Sequence, residues 1–118
     1  MSEPQVLHGG CLCGKVRYTI TATSPSETTA SLCNVICHCN NCKKATGAHM
    51  ANTSMFIREQ FALTSGTPGV YEDANQDSGN VLTRRFCKDC GSPLYITTSA
   101  VQSIIAVSSG TLDNATIH

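Results

Sequence analysis

Seven of the eight cysteines in this 118-residue chain fall into three tight groups: Cys11 and Cys13; Cys37, Cys39 and Cys42; Cys87 and Cys90. Nothing else in the sequence limits the fold as strongly. Eight in 118 lies just below the roughly 8–10% that marks a disulfide scaffold. The opening residues, Met1 to His8, have neither a basic start nor an apolar stretch, so they do not read as a signal peptide. The expectation is therefore a cytoplasmic protein with reduced thiols, in which clustered cysteines serve as metal ligands. The even number of cysteines leaves a mature secreted fragment as the other reading.

Charge narrows the partners. Eight basic and eight acidic side chains cancel, and the pI is near 6.9. With no basic field, the sequence predicts no nucleic-acid partner and no polybasic membrane contact. No apolar run approaches the roughly 20 residues of a membrane-spanning helix. The length fits a single domain, and oligomeric state is not legible.

Short β-rich runs dominate. Val16, Tyr18 and Ile20 alternate with Lys15, Arg17, Thr19 and Thr21, the period of a strand with one face buried. Further strands are predicted over Leu32–Cys37, Met50–Ile57, Gly69–Glu72, Val81–Phe86, Leu94–Thr98 and Ser103–Val107, with loops over Thr21–Ser31 and Asp73–Asn80. Only Asn40–Ala48 reads as a helix, with Asn40 or Asn41 as its cap and Gly47 closing it. The fold class is mainly antiparallel β with one short helix. A helix bundle or doubly wound α/β fold is excluded.

Each cysteine group has its own chemistry. Residues two apart on a regular strand point to opposite faces. Cys11 and Cys13 can therefore share an ion only if the chain turns, which Gly9, Gly10 and Gly14 permit. Cys87-Lys-Asp-Cys90-Gly91 suits a tight turn whose two thiolates converge. The two pairs together would complete a four-thiolate structural zinc site closing a long loop. Cys37, Cys39 and Cys42 sit on a turn entering the helix. Three ligands with one position free is the pattern of a catalytic zinc. Spacing leaves open which groups share an ion: Cys11 and Cys13 could join the Cys37 group, and a disulfide could close each CxxC. His38 reads as a supporting or packing residue rather than a ligand. Cys33 is too far along a strand from Cys37 to share its metal, and is expected to be a small buried hydrophobe.

Three segments in this order carry a resemblance: Gly9-Gly-Cys-Leu-Cys-Gly-Lys-Val-Arg-Tyr18, Cys37-His-Cys-Asn-Asn-Cys-Lys-Lys-Ala-Thr-Gly47 and Arg85-Phe-Cys-Lys-Asp-Cys-Gly-Ser-Pro-Leu-Tyr95. They resemble the glutathione-dependent formaldehyde-activating enzyme (GFA) family, which includes the centromere protein V zinc domain. Gly110-Thr-Leu-Asp113 is similar to that family's late motif. The resemblance implies a β-tent of small antiparallel sheets around two zinc sites. It implies the pairing Cys11, Cys13, Cys87 and Cys90 for a structural zinc, and Cys37, Cys39 and Cys42 for the second. It also implies a single domain over 1–118 that stops short of the family's usual C-terminal segment. Cys33 stands where the family generally has an apolar residue.

The activity implied is that of a carbon–sulfur lyase joining glutathione and formaldehyde as S-(hydroxymethyl)glutathione, with zinc as cofactor and a small thiol and aldehyde as partners. On this reading Lys43, Lys44 and Arg58 are candidates to meet glutathione carboxylates, and His49 to move a proton. Phe56 and Phe61 are expected in the core. Two alternatives stand beside it: a zinc-stabilised protein-binding module without catalysis, and an enzyme of the same chemistry acting on another small electrophile.

Overall fold

The computed structural model describes residues 6–21, 33–74 and 79–113. The predicted loop at Thr21–Ser31 lies almost wholly outside them, as does much of that at Asp73–Asn80.

Among the described residues, nine strands form two antiparallel sheets. β1 (Val6–Gly10), β2 (Arg17–Thr21) and β5 (Phe61–Ser65) make a three-stranded sheet in the order β1-β2-β5. The larger sheet joins β3 (Cys33–Cys37), β4 (Ala51–Ile57), β6 (Gly69–Asp73), β7 (Leu82–Phe86), β8 (Pro93–Thr98) and β9 (Ile104–Ser108) in the order β3-β4-β9-β8-β7-β6. One helix, α1 (Asn40–Thr46), connects β3 to β4. Among the described residues, no helix is long and apolar enough to cross a membrane.

Alternation gives the larger sheet two different faces. One carries Phe56, Tyr95, Ile105 and Val107, which pack with Tyr18 and Ile20 of the smaller sheet to form the core. Tyr18 stacks on Phe61 within the smaller sheet at 5.0 Å between centroids, and Phe61 bridges to Tyr95 of the larger sheet at 4.6 Å. Phe56 and Phe61 are thus packing residues.

The opposite face carries Ala51, Thr53, Leu82, Arg84, Ile96 and Ala106, which border cavities instead of a second layer. This face is concave. Its edge strands β3 and β6 approach each other through α1, whose Asn41 Nδ2 donates to Asp73 Oδ1 (3.1 Å) and Oδ2 (3.2 Å) on β6. The sheet therefore curls until the element after one edge strand touches the other edge.

The late motif pins the smaller sheet to the end of β9. Leu112 bridges to Gly9, and the Asp113 N–H donates to the His8 carbonyl (2.9 Å). Arg17 forms an ion pair with Asp113. Thr111 Oγ1 donates to the Ser108 carbonyl, which leaves the Tyr18 hydroxyl to donate to Thr111 Oγ1 at 2.6 Å.

Two expectations need correction. Gly9 and Gly10 do not form a turn; they end β1. They are glycine because a Cβ at Gly9 would lie 2.3 Å from the Tyr18 hydroxyl oxygen, and one at Gly10 would lie 2.4 Å from the Val16 carbonyl oxygen. Only Gly14 bends the chain there, with φ of 82°. Cys33, expected to be buried, is exposed, because it stands on the edge strand β3, whose residues are largely open to solvent.

Candidate metal centres

The first centre is built by two turns facing each other. After β1, Cys11 N–H donates to the Val16 carbonyl (3.1 Å) and Gly14 N–H to the Cys11 carbonyl (3.2 Å), folding Cys11 and Cys13 onto one side. After β7, Gly91 N–H donates to the Cys87 carbonyl (2.8 Å), and Gly91 adopts φ of 76° to leave the turn. The Leu12 N–H donates to Ser92 Oγ (3.0 Å) and ties the two turns together. The Sγ atoms of Cys11, Cys13, Cys87 and Cys90 all lie within 4.8 Å of one another. Two separations are 3.5 Å (Cys11 to Cys13) and 3.7 Å (Cys13 to Cys87).

A tetrahedral zinc with Zn–S bonds of about 2.3 Å sets its sulfurs roughly 3.8 Å apart, so this donor set fits that ion. The surroundings suit thiolates as well. Val16 N–H donates to Cys11 Sγ (3.3 Å) and Cys90 N–H to Cys87 Sγ (3.5 Å). The Ser92 hydroxyl, 3.2 Å from Cys90 Sγ, pulls the Cys90 thiol down to about 5.

The second centre lies where β3 runs into α1. Cys37, Cys39 and Cys42 bring their Sγ atoms within 4.8 Å of one another, with 3.5 Å between Cys37 and Cys39. No further cysteine, histidine or carboxylate joins either group among the described residues. The helix is capped by Cys39 rather than by Asn40 or Asn41: its sulfur accepts the Cys42 N–H at 3.4 Å. That N–H lowers the Cys39 thiol, while burial pushes Cys42 up to about 12 in the metal-free protein. Gly47 closes the helix at φ of 67°, as its sequence position predicts.

Behind Cys42 stands a network that the sequence did not disclose. Arg84 Nη2 lies 3.9 Å from Cys42 Sγ. The same guanidinium grips Asp73 Oδ2 through Nη2 (3.0 Å) and Nε (3.1 Å), and Asn41 reaches the same carboxylate. The Arg84 and Asp73 side chains are 12% and 7% exposed, so this is a largely buried pair with its hydrogen bonds made. The only hint was an arginine inside a strand two residues before the Phe86-Cys87 step.

The concave face holds two cavities that share wall residues. One of about 640 Å³ is lined in part by Thr46, Asn52, Tyr71, Arg84 and Ser108. The other, of about 290 Å³, has Cys37 and Cys42 in its wall. Ala51, Thr53 and Ile96 border both. A further cleft contains Lys44 with Asn41, Asp73 and Arg84. Lys43, half-buried on the same helix, borders none of these spaces. Arg58 follows the far end of β4 and lines a separate cleft with Phe61, Arg85 and Tyr95. It is seven residues from Ala51, roughly 23 Å along a strand, so it does not join the cysteine group. His38 and His49 are exposed and lie outside both thiol groups.

Two antiparallel sheets, a four-thiol group joining the turns after β1 and β7 and a three-thiol group opening on a cavity define a cysteine-rich β protein with two potential metal centres. The description "glutathione-dependent formaldehyde-activating enzyme" matches residues 6–118, and the chain belongs to that family. No curated protein matches it. A crystal structure of a Rhodobacter sphaeroides protein superposes with a TM-score of 0.69 at 16% identity, covering 92% of this chain and 90% of that one. That likeness shows a shared fold.

Proposed function

We propose that the protein is a zinc-dependent carbon–sulfur lyase acting on glutathione adducts, such as S-(hydroxymethyl)glutathione formed from glutathione and formaldehyde. On this reading Cys11, Cys13, Cys87 and Cys90 hold a structural zinc, and Cys37, Cys39 and Cys42 hold a second, reactive one. The observation that carries the reading is the contrast between the centres. The first closes on itself with four sulfurs; the second offers three, two of them in the wall of a cavity of about 290 Å³ that shares Ala51, Thr53 and Ile96 with a larger one of about 640 Å³.

A zinc ion held by Cys37, Cys39 and Cys42 would supply the chemistry that keeps a substrate thiol deprotonated at neutral pH. The residues of the chain do the rest. The curled sheet and α1 shelter the reacting sulfur. Arg84, fixed by Asp73, sets positive charge beside Cys42 and in the wall of the larger cavity, where it can face a glutathione carboxylate. Lys44 stands at the adjoining cleft and Lys43 one residue before it on α1. Arg58 has no place in this arrangement. In the reaction the thiolate sulfur adds to the aldehyde carbon, the π pair moves to oxygen, and that oxygen takes the proton the thiol released.

Glutathione and formaldehyde also combine unaided, so the test is exchange spectroscopy at equilibrium, with wild type, Cys42→Ser and metal-free protein compared. Acceleration by wild type alone supports the reading. No acceleration, with no calorimetric glutathione binding up to millimolar levels, leaves a zinc-stabilised binding module.

A further inference from the structure

The second cavity is strongly mismatched to formaldehyde. It is bordered by Val35, Met55, Leu82, Ile96, Ile104 and Ala106, with Cys37 and Cys42 completing one wall. Thr53 and Thr98 contribute the hydroxyl-bearing side chains, and no charged residue is among its described lining residues. Formaldehyde has two heavy atoms and is strongly hydrated. A cavity of about 150 Å³ with walls of this kind accepts a benzene ring, and this one measures about 290 Å³. Val35 and Val101 are exposed at 38% and 45%, so apolar surface is left open beside a reactive sulfur group.

The neighbouring larger cavity is also mostly apolar, but unlike the smaller one it has charged residues in its wall, Arg84 and Arg85, with Tyr71, Asn52 and Ser108 adding polar groups. Ala51, Thr53 and Ile96 border both spaces, and Cys42 has Arg84 within 3.9 Å while lining the apolar one. A ligand spanning both would place polar, charged groups in the first, apolar bulk in the second and its sulfur near Cys37 and Cys42.

Resting on the lyase reading above, we propose that the electrophile carries an apolar alkyl or aryl group of several carbons, seated in the Val35–Met55–Leu82–Ile104–Ala106 cavity. The substrate is then the hemithioacetal of a hydrophobic aldehyde. Its formation balances as for formaldehyde: the C–S bond forms, the carbonyl π pair passes to oxygen, and the thiol proton ends on that oxygen. Burial of each methylene contributes roughly a fourfold gain in affinity until the cavity is filled.

Calorimetry with S-methylglutathione and S-hexylglutathione tests this on zinc-loaded and metal-free protein. Binding of the hexyl probe at least tenfold tighter than the methyl probe is expected. That ratio should fall towards one in Ala106→Leu, which fills the cavity, and in Val35→Lys, which sets a charge at its edge strand. Circular dichroism identifies a variant that does not fold, and the other then decides. Exchange spectroscopy with hexanal and formaldehyde supplies the second readout. Equal binding of the two probes, with formaldehyde exchange still accelerated, overturns the proposal and leaves the lyase reading standing. No binding of either probe, with no acceleration for either aldehyde, overturns both. A hexyl preference that both folded variants retain also overturns the assignment to this cavity.

Discussion

Asn41 and Asp73, thirty-two residues apart, join the two edges of the six-stranded sheet: the Asn41 amide donates to both carboxylate oxygens at 3.1 and 3.2 Å. Because Asn41 precedes Cys42, this contact also fixes the turn carrying the second thiol group. Because Asp73 holds Arg84, it fixes the guanidinium beside Cys42 as well. One carboxylate thus sets both the curvature of the sheet and the wall of the site.

Asp73→Ala should be among the most damaging substitutions outside the cysteines. It leaves the Arg84 charge buried without its partner, which costs on the order of 3–5 kcal/mol. Asn41→Ala removes the amide donors to that carboxylate and should cost less, about 1.5–3 kcal/mol. Urea unfolding monitored by circular dichroism measures both. Equal, small losses would show that the edges are held by something else.

Gly9→Ala should destabilise by several times the ordinary cost of a surface change. The new methyl would stand 2.3 Å from Tyr18 Oη and 2.7 Å from the Thr111 carbonyl oxygen, and the latter is backbone that cannot swing away. Overpacking of this kind costs roughly 1–3 kcal/mol. Thermal melting should show the drop. A Tm within a degree of wild type would mean that the close approach is not maintained in solution.

Burial holds the Tyr18 phenol up at about 12, partly offset by its hydrogen bond with Thr111. Its folded value is raised, so the folded state keeps its proton where the unfolded chain has lost it. The stabilisation is fully present below about pH 10 and falls as pH rises to about 12. Two pH units correspond to on the order of 2–3 kcal/mol. Tyr18→Phe should lose the Thr111 hydrogen bond at neutral pH yet show a shallower decline between pH 10 and 12. Parallel alkaline declines in both proteins would remove Tyr18 as the source.

Much of this architecture was legible because β periodicity and cysteine spacing are local signals. Val16, Tyr18 and Ile20 announce β2, and Cys87-x-x-Cys90-Gly91 announces its turn. β1 and β5 were missed for a physical reason. Val6-Leu-His-Gly-Gly10 ends in two glycines needed for close packing against β2, and Phe61-Ala-Leu-Thr-Ser65 is open on both faces beyond Phe61. The Asn41–Asp73–Arg84 network was not legible at all. It exists only because the sheet curls, and nothing in the spacing of those residues records that. Arg58 misled for the converse reason: a basic residue close in sequence to β4 stands at the wrong end of it.

The two thiol groups should fail differently. Zinc bound to folded structural sites contributes roughly 10–16 kcal/mol in small domains, comparable with the whole stability of a domain. Cys90→Ser opens the clamp between the turn after β1 and the turn after β7, segments that no single strand pair otherwise unites. The expected result is a protein that is unfolded or melts far below wild type. Cys42→Ser removes one of three sulfurs from a group anchored on α1, while the strands on either side keep their pairing. It should retain most of its β circular dichroism and lose about one metal equivalent. Elemental analysis of reduced, purified wild type should give two zinc ions per chain, falling to about one in Cys42→Ser. Chelation in steps should remove the second ion before the first, because three protein ligands hold less tightly than four. Equal damage from the two substitutions, or simultaneous loss of both ions, would contradict the division into a structural and a reactive centre; absence of zinc altogether would contradict metal binding at both.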